Sequence, residues 1–268
     1  MKIIEKAKKS LGQNFIIDKN IIKKIIKVAN INKNSSILEI GPGYGNLTDA
    51  ICAMKPKKIF AIEKDKKLFS FLNKKYFNNK SIKVINDDVL NFIKKKSVNK
   101  NLIIFGNLPY NISTQVLASL ITLNKWPPWY NTLILMFQKE VADRIIAKVG
   151  SKNYGRLSIL SNWRLDIKKQ FNVKQNSFFP IPNVNSTLLL FKPKKNKNFP
   201  LKNASTLEMI TRVFFSNRRK MINKNFKKIF GNNNTIIKEL NLNLQVRPEE
   251  LSSETYYKIA MYYEKLFK

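Results

Sequence analysis

The run NLPYNIS, residues 107–113, contains the side chains of this sequence best suited to hold a flat base that carries an amine. The Asn107 side-chain oxygen and the backbone carbonyl of Leu108 can each accept an amine hydrogen, and the Tyr110 ring can stack on the base. Pro109 fixes the local backbone between them. The same residue types are common in turns, so the motif alone leaves an ordinary strand-to-helix turn open.

Two buried strands and a glycine loop are predicted to position this motif. The apolar run at residues 101–106 predicts a strand that ends directly before Asn107, and ligands of open α/β sheets collect at strand ends. Residues 36–40 predict a second strand, followed by Gly41-Pro-Gly-Tyr-Gly45 and a helix at 47–54. Such a loop lets backbone approach a nucleotide closely, but its GxGxG spacing matches neither a dinucleotide fingerprint nor a phosphate loop.

Carboxylates follow the next two predicted strands. Glu63 ends the strand at 58–63, 22 residues after Gly41, where it can accept hydrogen bonds from both hydroxyls of a ribose. Asp87 and Asp88 follow the strand at 82–86, and one of them can accept from an adenine amine. The residues alone do not decide between the two. Together these strand ends predict an adenosine-containing cofactor, more similar to S-adenosylmethionine than to NAD or ATP.

Hydrophobic periodicity predicts further elements. Residues 131–137 indicate a fifth strand, residues 139–147 a helix, and Asp18 the cap of a helix that buries isoleucines. Near the C-terminus, Ser205-Thr-Leu-Glu208 predicts a capping box that opens a helix, Gly231 its end, and residues 256–267 a last helix. The predicted core-facing stripe before Gly231 comprises Ile210, Val213, Phe214, Met221 and Ile222.

The charge balance predicts a polyanionic partner. Fifty Lys and Arg face seventeen Asp and Glu, which gives a net charge of +33. A compositional bias towards lysine is an alternative source of part of this charge. Between Glu208 and Glu239 there is no acidic residue, and there we expect Arg218, Arg219, Lys220 and Lys224 to bind RNA phosphates.

The residue types that are missing narrow the chemistry. There is no histidine and one cysteine, which excludes an imidazole base, a His-ligated zinc and an intrachain disulfide. No apolar run of transmembrane length and no signal peptide is recognisable, so we expect a cytoplasmic protein.

Several motifs in order resemble one family, the bacterial small-subunit rRNA dimethyladenosine transferases. The resemblance spans nearly the whole chain and is far more specific than any single motif. It is carried by LGQNF (residues 11–15), ILEIGPGYGNLT (37–48), DDVL (87–90), NLPYNIS (107–113), QKEVADR (138–144), YGRLS (154–158), FFPIPNVNS (178–186), FSNRRK (215–220) and RPEELS (247–252).

The resemblance implies a fold and an activity. We expect a Rossmann-like, S-adenosylmethionine-dependent methyltransferase domain at 1–195 with a seven-stranded, mostly parallel sheet, completed by strands near 163–173 and 187–191. A small all-α domain at 196–268 would dock RNA. The implied reaction is N6-dimethylation of adjacent adenosines in a 3'-terminal hairpin loop of small-subunit rRNA, coupled to maturation of the small ribosomal subunit. We expect a monomer that needs no metal or membrane.

The resemblance also implies residue roles. Asn107, Leu108, Pro109 and Tyr110 would be catalytic, and Tyr110 and Phe178 would sandwich the target adenine. Two of these residue roles have structural alternatives. Phe178 could instead pack at the end of the sheet, and Gln13-Asn14 could form a turn. The implied cofactor residues are Gln13, Asn14, Ile16, Gly41, Gly43, Glu63, Asp88 (preferred over Asp87 by motif alignment) and Asn107.

Two positions depart from the family pattern, and three other functions stay open. Ile16 replaces a usual leucine and keeps an apolar contact, whereas Asn185 replaces a common aspartate and puts a charge role there in doubt. The rival functions are a related methyltransferase acting on large-subunit rRNA, an RNA-binding assembly factor without catalysis, and an NAD-dependent oxidoreductase. The GxGxG spacing disfavours the last.

Overall fold

A computed structural model of the chain describes residues 12–95, 101–195 and 199–267. Leu11 of the first family motif, and residues 196–198 of the lysine-rich stretch after the sheet, lie outside the described residues. The described strands are β1 (Phe15–Ile16), β2 (Ser36–Ile40), β3 (Lys58–Glu63), β4 (Ile82–Asn86), β5 (Leu102–Asn107), β6 (Tyr130–Gln138), β7 (Leu165–Val173), β8 (Phe178–Phe179) and β9 (Ser186–Pro193).

Seven of these strands form one sheet in the order β4-β3-β2-β5-β6-β9-β7. Neighbours from β4 to β6 are parallel, and β9 runs antiparallel to β6. The prediction of a seven-stranded, mostly parallel sheet is confirmed. The chain order reverses between β2 and β5, and the carboxyl ends of strands at such a reversal form the usual ligand crevice of this class of sheet.

Helices separate most of the strands along the chain and form most of its C-terminal part. Across the described residues, none of them is long and apolar enough to cross a membrane. They are α1 (Lys19–Ala29), α2 (Asn46–Ala53), α3 (Lys66–Lys75), α4 (Val89–Lys94), α5 (Ser113–Ile121), α6 (Lys139–Ile145), α7 (Arg156–Arg164), α8 (Ala204–Phe214), α9 (Asn223–Phe230), α10 (Asn234–Glu239) and α11 (Ser253–Phe267).

Helix α1 shows how the sequence fixes these elements. The Asp18 carboxylate accepts from the backbone N–H groups of Asn20 (2.8 Å) and Ile21 (3.2 Å), which confirms the predicted cap. One face of α1 buries Ile22, Ile25, Ile26 and Ala29 in an apolar cluster with side chains of β2, β5 and α2. Each such isoleucine contributes roughly 1.5–3 kcal/mol by leaving water, so packing rather than helix propensity holds α1 against the sheet.

The chain divides into two compact units. The first takes its described residues from Met1–Leu120, Pro127–Ala142 and Ile167–Pro193, and the second from Ile121–Trp126, Asp143–Asp166 and Lys194–Lys268. The chain leaves the first unit for the last time at Pro193, close to the expected boundary at 195. The second unit also contains two earlier segments, including α7, that the expected division assigned to the first.

Three expectations for the C-terminal helices are wrong. Ser205 does not cap α8: that helix begins at Ala204, and the buried carboxylate of Glu264 accepts from the backbone N–H groups of Lys202 (2.7 Å) and Asn203 (2.9 Å) instead. The predicted continuous helix is broken by a 3₁₀ turn at Phe215–Asn217. Met221 is consequently half exposed rather than in the core. Gly231, with φ of 62°, ends α9 as predicted.

Candidate functional site

A cavity of about 190 Å³ lies at the carboxyl ends of β2, β3, β4 and β5, within the first unit. Residues of β1 and the segment before it form another wall. The predicted cofactor residues all line this cavity, together with the NLPY motif. They are Gln13, Asn14, Ile16, Gly41, Gly43, Glu63, Asp88, Asn107, Leu108, Pro109 and Tyr110.

The glycine loop needs its glycines for two different reasons. Both Gly41 and Gly43 have positive φ angles, 66° and 59°, that other residues rarely adopt. A side chain at Gly43 would also come within 2.5 Å of the Phe15 ring, so the loop could not pack against β1. A Cβ atom at Gly41 would meet nothing within 4 Å, which leaves that stretch of backbone accessible to a ligand.

Glu63 is a buried carboxylate held from both sides. Its Oε1 accepts from the Asp65 backbone N–H at 2.9 Å, and its Oε2 accepts from the Gly43 N–H at 3.3 Å. Burial raises the pKa of Glu63 above its usual value, and these two hydrogen bonds oppose the increase. The side chain therefore joins the glycine loop to the end of β3 in one orientation, and each oxygen keeps a lone pair for a ligand hydroxyl.

Asp87 and Asp88 both line the cavity, and both are already engaged. Asp88 caps α4 through the Leu90 N–H (2.9 Å) and pairs with Lys64 (2.8 Å), and the bond from Lys64 lowers the pKa of this carboxyl. Asp87 accepts from the Asp88 N–H (2.8 Å) and pairs with Lys95 (2.9 Å). Neither carboxylate is simply solvated, and both are candidate acceptors for a ligand amine.

The Asn107 carboxamide is held in a defined orientation at the end of β5. Its Nδ2 donates to the backbone carbonyl of Asn14 at 2.6 Å, although 93 residues separate the two in sequence. This bond fixes which end of the amide is the nitrogen, so Oδ1 remains as an acceptor. The side chain of Leu108 is buried and packs closely at Gly106, where a Cβ atom would come within 2.8 Å of it. The motif is thus rigid on both sides of the acceptor.

Hydrogen bonds hold both the side-chain hydroxyl and the backbone carbonyl of Tyr110. Its hydroxyl shares a hydrogen bond of 2.8 Å with the hydroxyl of the fully buried Ser186, at the start of β9, and its carbonyl accepts from Ser113 Oγ at 3.1 Å. Burial raises the pKa of Tyr110, so its hydroxyl is neutral at physiological pH. The half-buried ring is therefore a preorganised flat surface beside Asn107.

Phe178 is not where the sandwich expectation needs it. Its side chain is 1% exposed and packs in the apolar core, and it does not line the cavity. Strand β8, to which it belongs, pairs with β1, so Phe178 lies opposite Ile16 and contributes to packing at that edge. The neighbouring ring of Phe179 is 42% exposed. In this structure the Phe178 ring lies in the packed edge and not in the cavity wall.

Glu39 is a cavity residue that sequence reasoning missed. It lies within β2, is 2% exposed, and its Oε2 accepts from Thr48 Oγ1 at 2.7 Å. Burial raises its pKa to about 7. A carboxylate inside the apolar run Ser36-Ile-Leu-Glu-Ile40 was the available signal, since buried strands rarely contain one without a partner or a task.

The four predicted RNA-binding residues lie in the second unit and differ in their surroundings. Arg218 donates to the carbonyls of Lys152 (2.6 Å) and Ser151 (3.4 Å) and lies 3.4 Å from a Glu249 oxygen, so it contributes to internal structure. Arg219, Lys220 and Lys224 have exposed side chains. Among the described residues, no cluster of histidine, cysteine or acidic side chains is suited to hold a metal ion.

Comparison with known proteins gives consistent matches along the chain. The sequence matches the family described as ribosomal RNA adenine dimethylase over residues 4–265. A ribosomal RNA small subunit methyltransferase A from Pelagibacter ubique is 48% identical over 261 residues, which covers 97% of this chain and 98% of that protein. One from a Wolbachia of Drosophila simulans is 38% identical, covering 99% of this chain and 97% of its own length.

Solved structures show the same architecture. A dimethyladenosine transferase from Plasmodium falciparum superposes with a TM-score of 0.78 at 26% identity, covering 94% of this chain and 98% of that one. The 23S rRNA methyltransferase ErmE superposes with a TM-score of 0.70 at 18% identity, covering 93% and 99%. The expected Rossmann-like methyltransferase fold with a helical C-terminal region is therefore confirmed.

Proposed function

The chain belongs to the ribosomal RNA adenine dimethylase family, and from that membership we propose that it transfers two methyl groups to N6 of each of two adjacent adenosines in small-subunit rRNA. The proposed target is a 3'-terminal hairpin loop in an immature small subunit, and the proposed methyl donor is S-adenosylmethionine. The reaction would take place in the cytoplasm, catalysed by a monomer without a metal ion, as a step in subunit maturation.

Polar groups of the cavity support binding of the adenosine part of S-adenosylmethionine. The accessible backbone at Gly41 can approach the ligand, and the held carboxylate of Glu63 can accept from ribose hydroxyls. Either Asp87 or Asp88 can accept from the adenine amine, with Asp88 favoured by its place in the motif. When bound, this cofactor supplies an electrophilic methyl group on a sulfonium. The remaining chemistry is positioning of the base.

The oriented Asn107 amide is the observation that carries the proposal. The amine of adenine is a poor nucleophile because its lone pair is delocalised into the ring. If Asn107 Oδ1 and the Leu108 carbonyl accept its two hydrogens, they favour a pyramidal nitrogen with the lone pair available for attack. The bond from Nδ2 to the Asn14 carbonyl keeps Oδ1 in place for this task. Positioning of this kind is worth up to roughly 7–11 kcal/mol.

The reaction balances without a histidine base. A nitrogen–methyl bond forms, the sulfur–methyl bond breaks, and the alkylated nitrogen, now acidic, releases its proton to solvent. After the first transfer the nitrogen carries one hydrogen, so only one of the two acceptors can keep its hydrogen bond in the second round. Tyr110 would support the base throughout by stacking, since its ring is held by Ser186 and its own backbone.

Transfer of a labelled methyl group to small ribosomal subunits that lack this modification tests the proposal. Dimethyladenosine in small-subunit rRNA, absent from large subunits treated in parallel and lost in Asn107→Ala, is the expected result. Label in large subunits would favour the related large-subunit activity instead. Tight binding to small subunits without transfer, and no cofactor binding in a titration, would favour an assembly factor and overturn the proposed reaction.

A further inference from the structure

A second cavity, of about 520 Å³, lies entirely within the second unit and shares no residue with the candidate cofactor site. Its volume is in the range of sites for small ligands. Aromatic side chains, basic side chains and carboxamides line it together, and Glu254 is the one acidic residue among the described residues of its wall. The chemistry of the wall, rather than its size, indicates the ligand.

The aromatic part of the wall is preorganised. The Arg164 guanidinium lies 3.9 Å from the centre of the Trp163 ring and 4.8 Å from that of Trp126. Trp126 Nε1 donates to the Lys194 carbonyl (3.2 Å), and Trp163 Nε1 donates to the Phe199 carbonyl (3.1 Å). The first bond joins the segment at Trp126 to the segment at Lys194, and the second joins α7 to Phe199, so a ligand would not have to order the rings on binding.

The rings differ in how accessible they are. Trp163 is buried, as is Tyr257, whose ring packs on Phe199 with centres 5.1 Å apart. Trp126 and Phe199 are only partly buried. These last two rings can therefore present a face to a planar ligand, while the buried pair supports them from behind.

The polar part of the wall complements a nucleotide. The Asn162 amide is oriented by its bond to the Ser158 carbonyl (2.9 Å), which leaves Oδ1 as an acceptor for a base edge. Lys194 Nζ donates to the Asn162 carbonyl at 2.6 Å and still has two hydrogens, and Lys202 has an exposed side chain. Stacking rings, a base-edge acceptor and ammonium groups for phosphate are what proteins use to hold unpaired RNA.

We propose that this cavity binds an unpaired nucleotide of the rRNA substrate, other than the adenosines that are methylated. The inference rests on the proposed function for the identity of the RNA. It adds a stacking site in the second unit to the phosphate contacts expected from the exposed cations there. Its contribution is anchorage of the RNA, so the chemical step does not depend on it.

The test compares variants of the full-length protein for binding to unmethylated small ribosomal subunits. Trp126→Ala and Phe199→Leu each remove a flat ring. Phe199→Leu keeps apolar volume, so it provides a folded variant even if Trp126→Ala does not fold. Trp129→Ala, which removes a ring that does not line the cavity, is the matched control. We expect dissociation constants to rise about 5- to 150-fold in the first two and to stay unchanged in the control.

Salt dependence separates stacking from charge. A stacking contact neutralises no phosphate and therefore releases no counterions on binding. The slope of log affinity against log salt should thus be the same in Trp126→Ala and Phe199→Leu as in the wild-type protein. The methyl-transfer rate at saturating subunits should also stay the same. Unchanged affinity in both folded variants, with wild-type transfer intact, would overturn this inference alone. Failure of the wild-type protein to methylate any subunit would instead overturn the proposed function.

Discussion

Substitutions of Tyr110 test whether its ring or its hydroxyl matters to the reaction. Tyr110→Phe keeps the stacking surface and removes the hydrogen bond to Ser186. Tyr110→Ala removes both. If the ring supports the target adenine, the alanine variant should lose much more activity than the phenylalanine variant.

The two losses have separable magnitudes. A base–aromatic stack is worth about 1–3 kcal/mol, or roughly 5- to 150-fold in rate if it is realised in the transition state. One intramolecular hydrogen bond is worth about 0.5–1.5 kcal/mol, so Tyr110→Phe should lose no more than roughly tenfold. Ser186→Ala breaks the same bond from the other side, and because Ser186 is fully buried its loss should also appear in thermal stability.

The assay is single-turnover methyl transfer to unmethylated small subunits, with mono- and dimethyladenosine quantified separately. We expect kcat/KM to fall slightly in Tyr110→Phe and in Ser186→Ala, and severely in Tyr110→Ala, with cofactor affinity little changed in all three. Equal losses in the phenylalanine and alanine variants would refute the stacking role. A defect in Tyr110→Phe with a fully active Ser186→Ala would show that the hydroxyl acts on substrate rather than on Ser186.

Three further predictions follow from individual contacts. Arg219→Ala should weaken RNA binding and reduce the salt slope by about one, because its exposed guanidinium can neutralise a phosphate. Arg218→Ala should mainly lower Tm, because its side chain makes internal bonds. Filter binding and thermal melts check both variants. Weaker RNA binding in Arg218→Ala together with a lower Tm in Arg219→Ala would contradict these two predictions. Glu264→Ala should lower the free energy of unfolding in urea by about 2–5 kcal/mol, because it leaves buried donors unpaired. Glu208→Ala should lower it by less than about 0.5 kcal/mol. Similar losses in the two variants would favour the capping box predicted at Ser205 and Glu208. Burial raises the pKa of Glu39 from 4.5 to about 7, so the folded state binds this proton more tightly than the unfolded chain does. The resulting stabilisation of the folded state is fully present below pH 4.5 and is lost as the pH rises through 7. The free energy of unfolding should fall by up to about 3 kcal/mol across that interval, and Glu39→Gln should flatten the fall; an unchanged profile in urea titrations would contradict it.

Five strands of the sheet could be predicted from their residues because they are short apolar runs with clear ends, whereas β7, β9 and the seven-stranded topology followed from the resemblance to the family. The expected bounds of all seven strands lie within two residues of the observed ones. Helix α7 could not be found in this way: Arg156–Arg164 buries serines as well as apolar residues, so its sequence has no apolar stripe of helical period. The predicted cap of α8 at Ser205 was wrong for another reason. The carboxylate that binds the backbone just before α8 is that of Glu264, 61 residues from Asn203, and no local pattern announces a long-range partner.

The candidate site shows the same division between local and distant causes. Residues at strand ends, such as Gly41, Glu63 and Asn107, were found because their spacing from the strands is local. The partner that orients Asn107 is the backbone carbonyl of Asn14, and a carbonyl leaves no signature in a sequence. A ligand role was expected for Phe178 from the family resemblance and for Arg218 from the basic charge of its segment, whereas the burial of the first and the internal bonds of the second are properties of packing.

The pairing of β1 with β8 has a consequence for synthesis of the protein. Phe15 and Ile16 pair with residues 178 and 179, so a growing chain cannot form this contact until two-thirds of the 268 residues have been made. At roughly 5–20 residues per second, the segment from Gln13 to Ile16 waits about 8–30 seconds for its partner strand. The strand that precedes Gly41 and the strands that end in Glu63 and Asn107 are complete well before that. The wall that orients Asn107 is thus secured later than the glycine loop, and a chain interrupted before Phe179 would retain the glycine loop without it.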